Sequence, residues 1–170
     1  MLTIVIGGAG SGKSAFAEKH VCTLPGRKIY LATMLPRDGE SRARVSRHRA
    51  QRAHLGFETF ERGLDLAGAD IPADANVLLE DLSNLLANEI YEAEGGGIDA
   101  LRRGLRHLIN SCKNLTIVTN EVFSGGADYD KESLRYMRTL ADLNRALAAR
   151  ADLVVEVVCT LPNILKGELP

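Results

Sequence analysis

No apolar run in this 170-residue sequence approaches 18 residues, so nothing in it reads as a membrane-crossing helix. It also lacks a surplus of either charge: 21 Lys and Arg stand against 22 Asp and Glu, a formal net charge of −1. No overall field therefore draws nucleic acid or an anionic membrane surface, and neither is expected as a partner. The three cysteines, Cys22, Cys112 and Cys159, are odd in number, far apart and without metal-ligand spacing. That speaks against a disulfide framework and leaves reduced thiols of a cytoplasmic protein as the expectation. The strand pattern begins at residue 2, so no secretory leader is expected. What remains is ordinary globular composition, 45% hydrophobic and 25% charged. One domain over residues 1–170 is expected, large enough to bury a core.

Against this plain background one stretch stands out, Gly7-Gly8-Ala9-Gly10-Ser11-Gly12-Lys13-Ser14. It fits G-x-x-x-x-G-K-[ST], the phosphate-binding P-loop. At average residue frequencies the pattern arises by chance in roughly one per cent of chains this long. Its context lowers that chance further, because a β-branched apolar run precedes it at residues 2–6 and helix-accepting residues follow at 14–22. Each residue type has its own task on a nucleoside triphosphate. The glycines let the backbone turn tightly so that successive N–H groups face phosphate oxygens. Lys13 carries a charge to the β- and γ-phosphates, Ser14 offers a hydroxyl to Mg²⁺, and the helix adds its positive N-terminal end.

Further apolar runs bounded by turn residues fall at 28–33, 77–79, 115–119 and 153–159, with a weaker, alternating run at 57–61 that suits an edge strand. Helical patterns occupy 14–22, 41–54, 82–94, 98–112 and 131–150. In the last, Leu134, Met137, Ala141, Asn144, Leu147 and Ala148 share a stripe. Strands alternating with helices predict an α/β domain with a mainly parallel sheet flanked by helices. Residues 94–97 and 124–128 read as flexible loops. The second follows a strand, at the sheet edge where open α/β folds bind ligands, so residues 124–130 are a candidate lid or substrate loop.

Three other places are chemically loaded. The strand at 77–79 ends in Glu80 and Asp81, where a P-loop enzyme keeps a carboxylate for Mg²⁺. Asp81 is equally suited to cap the helix starting at Leu82, so both assignments stay open, one acid on the metal and the other on the cap. The segment from Arg37 to His54 carries Arg37, Arg42, Arg44, Arg47, Arg49 and Arg52 against only Asp38 and Glu40. On a helix, Arg44, His48 and Arg52 share a face, which suits a phosphate clamp with an imidazole nucleophile. Residue physics by itself favours the plainer reading, a solvated cationic face. Thr119-Asn120-Glu121 ends a strand at the same sheet edge, and spacing leaves its role undecided.

Taken in order, these segments resemble the adenosylcobinamide kinase/adenosylcobinamide-phosphate guanylyltransferase family of cobalamin biosynthesis. The resemblance rests on Gly7 to Ser14, Tyr30-Leu31-Ala32-Thr33, Arg44 with His48, Arg49 and Arg52, and Phe57-x-Thr59-x-Glu61. It continues through Leu78-Leu79-Glu80, Thr119 to Val122, and Asn144 with Leu147, Ala148, Ala151 and Asp152. It implies a RecA-like P-loop fold, a homotrimer with nucleotide sites near subunit boundaries, and a corrinoid acceptor. It also implies two reactions with Mg²⁺ and GTP or ATP: phosphorylation of the cobinamide hydroxyl, then GMP transfer from GTP through a histidine. That histidine matches His48, which reverses the plainer reading of the arginine-rich segment; Arg49, Arg52, Glu61 and Glu80 join the nucleotide site. The sequence departs from the family at Gly10, where Arg is usual, at Phe123 to Asp128, and at Tyr136 to Arg145. The departures at Phe123 to Asp128 and Tyr136 to Arg145 bear on corrinoid binding more than on nucleotide binding. A small-molecule kinase for another acceptor and a nucleotide-binding regulatory protein without turnover are the alternatives.

Overall fold

The computed structural model describes residues 1–35, 39, 53–123 and 128–169. The helix expected at 41–54 lies outside them but for its end, where Ala53–Leu55 form one 3₁₀ turn. Seven strands make one sheet: β1 (Leu2–Gly7), β2 (Lys28–Ala32), β3 (Phe57–Glu61), β4 (Asn76–Glu80), β5 (Asn114–Asn120), β6 (Leu153–Val158) and β7 (Leu161–Lys166). Their order across the sheet is β3-β2-β4-β5-β1-β6-β7. All neighbours run parallel except β6 and β7. This is the mainly parallel RecA-like P-loop arrangement that the family resemblance implies, and β3 is an edge strand as its alternation suggested.

The near-continuous apolar strands are covered on both faces. Along β4, Leu78 packs with Val5, Val21 and Val118 on the side of α1 (Lys13–Thr23). Its neighbour Leu79 packs with Leu82, Leu101 and Leu140 on the other side, beneath α2 (Leu82–Tyr91), α3 (Gly97–Ser111) and α4 (Lys131–Arg150). Both leucines are fully buried, so truncating either to alanine removes about 2–5 kcal/mol. The stripe on α4 runs through Leu140, Leu143, Asn144 and Leu147, with Leu134 left exposed. Of the stripe expected from the sequence, Asn144 and Leu147 are buried. Leu140 and Leu143 complete the i, i+3, i+4, i+7 face that the sheet selects.

One strand had no sequence signal. β7 contains Pro162, which an outer strand tolerates because its missing N–H need not face a partner. The turn before it is Cys159-Thr160, both at positive φ (50° and 68°). Two-residue hairpins of this kind usually carry Asn-Gly or Asp-Gly, so Cys-Thr gives no warning. α2 stops at Tyr91, three residues short of the expected end, and of the expected loop 94–97 the first three residues lie before α3 while Gly97 is its first residue. Among the described residues, no helix is long and apolar enough to cross a membrane. All three cysteines are free.

Candidate functional site

β1 ends at Gly7 and α1 starts at Lys13, and the chain between them turns back over the carboxyl edge of the sheet. Gly7 is fixed by crowding: a Cβ there would lie 2.5 Å from Ser11 Oγ and 2.6 Å from the Val157 carbonyl. Gly12 sits at φ 92° with Thr160 of the hairpin tip against it, and Thr160 N–H donates to the Ser11 carbonyl at 2.8 Å. The hairpin missed in the sequence is therefore what braces the loop from outside. α1 begins with no side-chain cap and no acid in its first turn, so its leading N–H groups remain available to an anion.

Lys13 is only 8% exposed, and its Nζ donates to the Gly8 carbonyl at 3.1 Å. An ammonium curled onto its own loop is the arrangement that an incoming phosphate can replace. Ser14, one residue on, donates its hydroxyl to Glu80 Oε1 at 2.5 Å. Sixty-six residues separate the two in sequence. They meet because α1 crosses β5 to pack on β4, whose last residue is Glu80.

The two acids at the end of β4 have separate tasks. Asp81 is the N-cap of α2: Oδ1 accepts from Asn84 N–H at 2.7 Å, and Oδ2 accepts from Asn120 Nδ2 at 3.3 Å. Among the described residues, Glu80 Oε2 is buried with no hydrogen-bond partner, as is Ser11 Oγ in the loop. Burial pushes the Glu80 carboxyl up to about 7, against the opposing pull of the Ser14 hydrogen bond. Burial also raises Asp81, while the Asn84 N–H and the Lys13 charge oppose that shift. A buried carboxylate with one oxygen on the P-loop serine and the other unsatisfied fits a divalent cation, a hard ion that takes oxygen donors. The peptide between the two acids is cis.

The chain matches over residues 3–165 the family described as cobinamide kinase / cobinamide phosphate guanyltransferase. It belongs to that family. The bifunctional adenosylcobalamin biosynthesis protein CobP of Pseudomonas aeruginosa is 32% identical over 173 residues, covering 99% of each chain. The bifunctional adenosylcobalamin biosynthesis protein CobU of Salmonella typhimurium is 33% identical over 175 residues, and that of Escherichia coli 31% over 176. Both alignments cover 93% of this chain and 96% of the relative.

Of the residues that the cobinamide kinase resemblance brings to the nucleotide, 7 to 14 and Glu80 stand together. Glu61 ends β3, with β2, β4 and β5 between it and β1, roughly 19 Å away at the usual strand spacing. His48, Arg49 and Arg52, and the loop residues 124–127, lie outside the described residues. Asn120, undecided in the sequence, pairs in register with Gly7 and donates its amide to Ser83 Oγ at 2.9 Å as well as to Asp81. Asp130, at the far end of the candidate lid, caps α4 by accepting from Ser133 N–H at 2.8 Å.

Proposed function

We propose that this family member phosphorylates the aminopropanol hydroxyl of adenosylcobinamide and then places GMP on the new phosphate through His48. The observation that carries the reading is the Ser14–Glu80 contact beside a buried P-loop lysine, in a chain of this family. In the first step the acceptor hydroxyl oxygen forms a bond to the γ-phosphorus, the bond to the nucleoside diphosphate breaks, and the hydroxyl proton passes to solvent. Residues 7 to 14 hold the phosphates through backbone N–H groups, and Lys13 leaves the Gly8 carbonyl for the β- and γ-oxygens. Mg²⁺, held by the Ser14 hydroxyl and Glu80, would neutralise the charge spreading over those oxygens. In the second step His48 nitrogen bonds to the α-phosphorus of GTP and pyrophosphate leaves. The cobinamide phosphate then attacks the same phosphorus and frees the imidazole. Arg49 and Arg52 offset the phosphate charge, and Glu61 completes the nucleotide contacts by family match. We also take the protein as a single-domain cytoplasmic enzyme, working as a homotrimer as the family resemblance implies.

The test is incubation of wild-type protein with α-labelled GTP and Mg²⁺, followed by denaturation. An acid-labile, base-stable label on protein is expected, the signature of a phosphoramidate. No label under any metal condition would sink the guanylyl-transfer half and leave a plain kinase or a silent nucleotide binder.

The metal assignment has its own test. Glu80→Gln is expected to raise the Mg²⁺ concentration for half-maximal turnover by at least ~10-fold, since it removes a charged ligand rather than a supporting group. Asp81→Asn should shift that concentration less and act mainly on the α2 cap, at a cost of about 0.5–2 kcal/mol in stability. Mg²⁺ titrations of the two variants decide it. If Asp81→Asn alone removes the Mg²⁺ dependence, Asp81 is the ligand.

A further inference from the structure

Thr33 belongs to the family-like stretch Tyr30 to Thr33, yet neither the phosphate loop nor the histidine chemistry uses it. It follows β2 directly and is fully buried. The β2–β4 ladder ends at the pair Ala32 and Glu80. Past that point Thr33, the residue after Ala32, meets the backbone of Glu80 and Asp81. Its N–H donates to the Glu80 carbonyl at 3.1 Å. Its hydroxyl proton is shared by the Glu80 and Asp81 carbonyls, each at 2.9 Å. Its hydroxyl oxygen accepts from Asp81 N–H at 2.8 Å.

Thr33 is itself clamped. Its carbonyl accepts from Asn88 Nδ2 at 2.8 Å, and the same amide group donates to the Gly63 carbonyl at 3.0 Å. Asn88 is buried on α2, the helix that Asp81 caps. The end of β4 is thus held between one hydroxyl just past β2 and one cap on α2. The Glu80 side chain, fully committed to Ser14 through one oxygen, hangs from the peptide that Thr33 holds.

We propose that Thr33 is a positioning residue of the phosphate-transfer site: its hydroxyl fixes the Glu80–Asp81 peptide so that the Glu80 carboxylate stays aimed at the Ser14 hydroxyl. The proposal rests on the reading of Glu80 as the metal-holding carboxylate. Groups that orient metal ligands in this way change metal affinity by roughly 10- to 100-fold when removed. A misplacement of about 1 Å is enough to produce such losses. A side chain that merely filled space here would serve as well as valine, which has the same shape and no hydroxyl.

The test compares Thr33→Val with Thr33→Ser. Nucleoside diphosphate binding is measured by calorimetry in EDTA and across a Mg²⁺ titration, alongside turnover and thermal unfolding. Thr33→Val is expected to need ~10-fold or more Mg²⁺ for half-maximal effect, while its metal-free nucleotide affinity stays within about twofold of wild type. Thr33→Ser, which keeps the hydroxyl, is expected to restore the Mg²⁺ midpoint to within about threefold. A folded Thr33→Val with an unchanged midpoint overturns the proposal. So does an equal loss of nucleotide affinity with and without Mg²⁺, because that is what general loosening of the fold produces. Should Thr33→Val fail to fold, Thr33→Ala removes the same hydroxyl and is read the same way. Wild-type protein that gains nothing from Mg²⁺ overturns the Glu80 reading and this one with it. Wild-type dependence that the hydroxyl-free variant keeps in full overturns this one alone.

Discussion

Lys13→Ala is expected to abolish measurable binding of GTP and ATP in a protein that still folds. Losing one desolvated charge contact to the phosphates costs on the order of 2–5 kcal/mol, a drop in affinity of roughly 30- to 5,000-fold. The fold should survive for a reason the sequence did not give. Lys13 is not a loose, exposed loop side chain; it is buried with its ammonium on a single carbonyl. Removing it loses one charged hydrogen bond, about 1.5–3 kcal/mol, but also relieves the cost of keeping an ammonium away from water. The two nearly offset, so the melting temperature should move by only a few degrees. Calorimetry showing unchanged triphosphate binding by the folded variant would overturn the P-loop assignment.

His48→Asn is expected to eliminate covalent guanylylation, by at least ~10³-fold in label incorporated, and GMP transfer with it. The attacking imidazole must be neutral. The ordinary histidine value of about 6.5 allows that near pH 7. Nucleotide binding at the P-loop should persist, because nothing in residues 7 to 14 depends on that side chain in the sequence pattern. Two of the other three histidines, His54 and His107, serve as controls. His107 is tied on α3, with Nε2 2.9 Å from the Ala69 carbonyl and Nδ1 3.3 Å from Ser111 Oγ. His54 sits exposed in the 3₁₀ turn before β3. His54→Asn and His107→Asn should label like wild type. Label retained by His48→Asn and lost by either of the others would move the nucleophile.

The amino-acid sequence carried the fold class because the strands of a parallel sheet are buried on both faces and so appear as unbroken apolar runs. Leu2 to Ile6, Val77 to Leu79 and Leu115 to Thr119 were visible for that reason, and the glycines and prolines between them marked the turns. β7 was invisible for the opposite reason. It is exposed along its whole length, interrupted by Pro162 and entered through a Cys-Thr turn, so neither period nor turn residue announces it. On α4 the helical period was legible but its phase was not, because Leu134 and Leu140 are equally apolar in sequence. Only packing against the sheet buries Leu140 and leaves Leu134 in water.

At the site the division is sharper. A phosphate loop is a local object: tight backbone turns, one lysine and one hydroxyl within eight residues, so Gly7 to Ser14 could be read directly. The carboxylates were legible as a pair but not as individuals, since alternation along a strand gives no clue to which of two adjacent acids turns toward a helix packed above it. The crossing of α1 over β5 onto β4 decides that Glu80 meets Ser14, and the start of α2 decides that Asp81 is consumed as its cap. Thr33 and Thr160 gained their places in the same way, one by closing the end of the β2–β4 ladder and the other by resting on Gly12. Short-range chemistry is written in residue types. Long-range contact depends on strand order and on which helix lies over which strand, and those follow only when the whole sheet has found its partners.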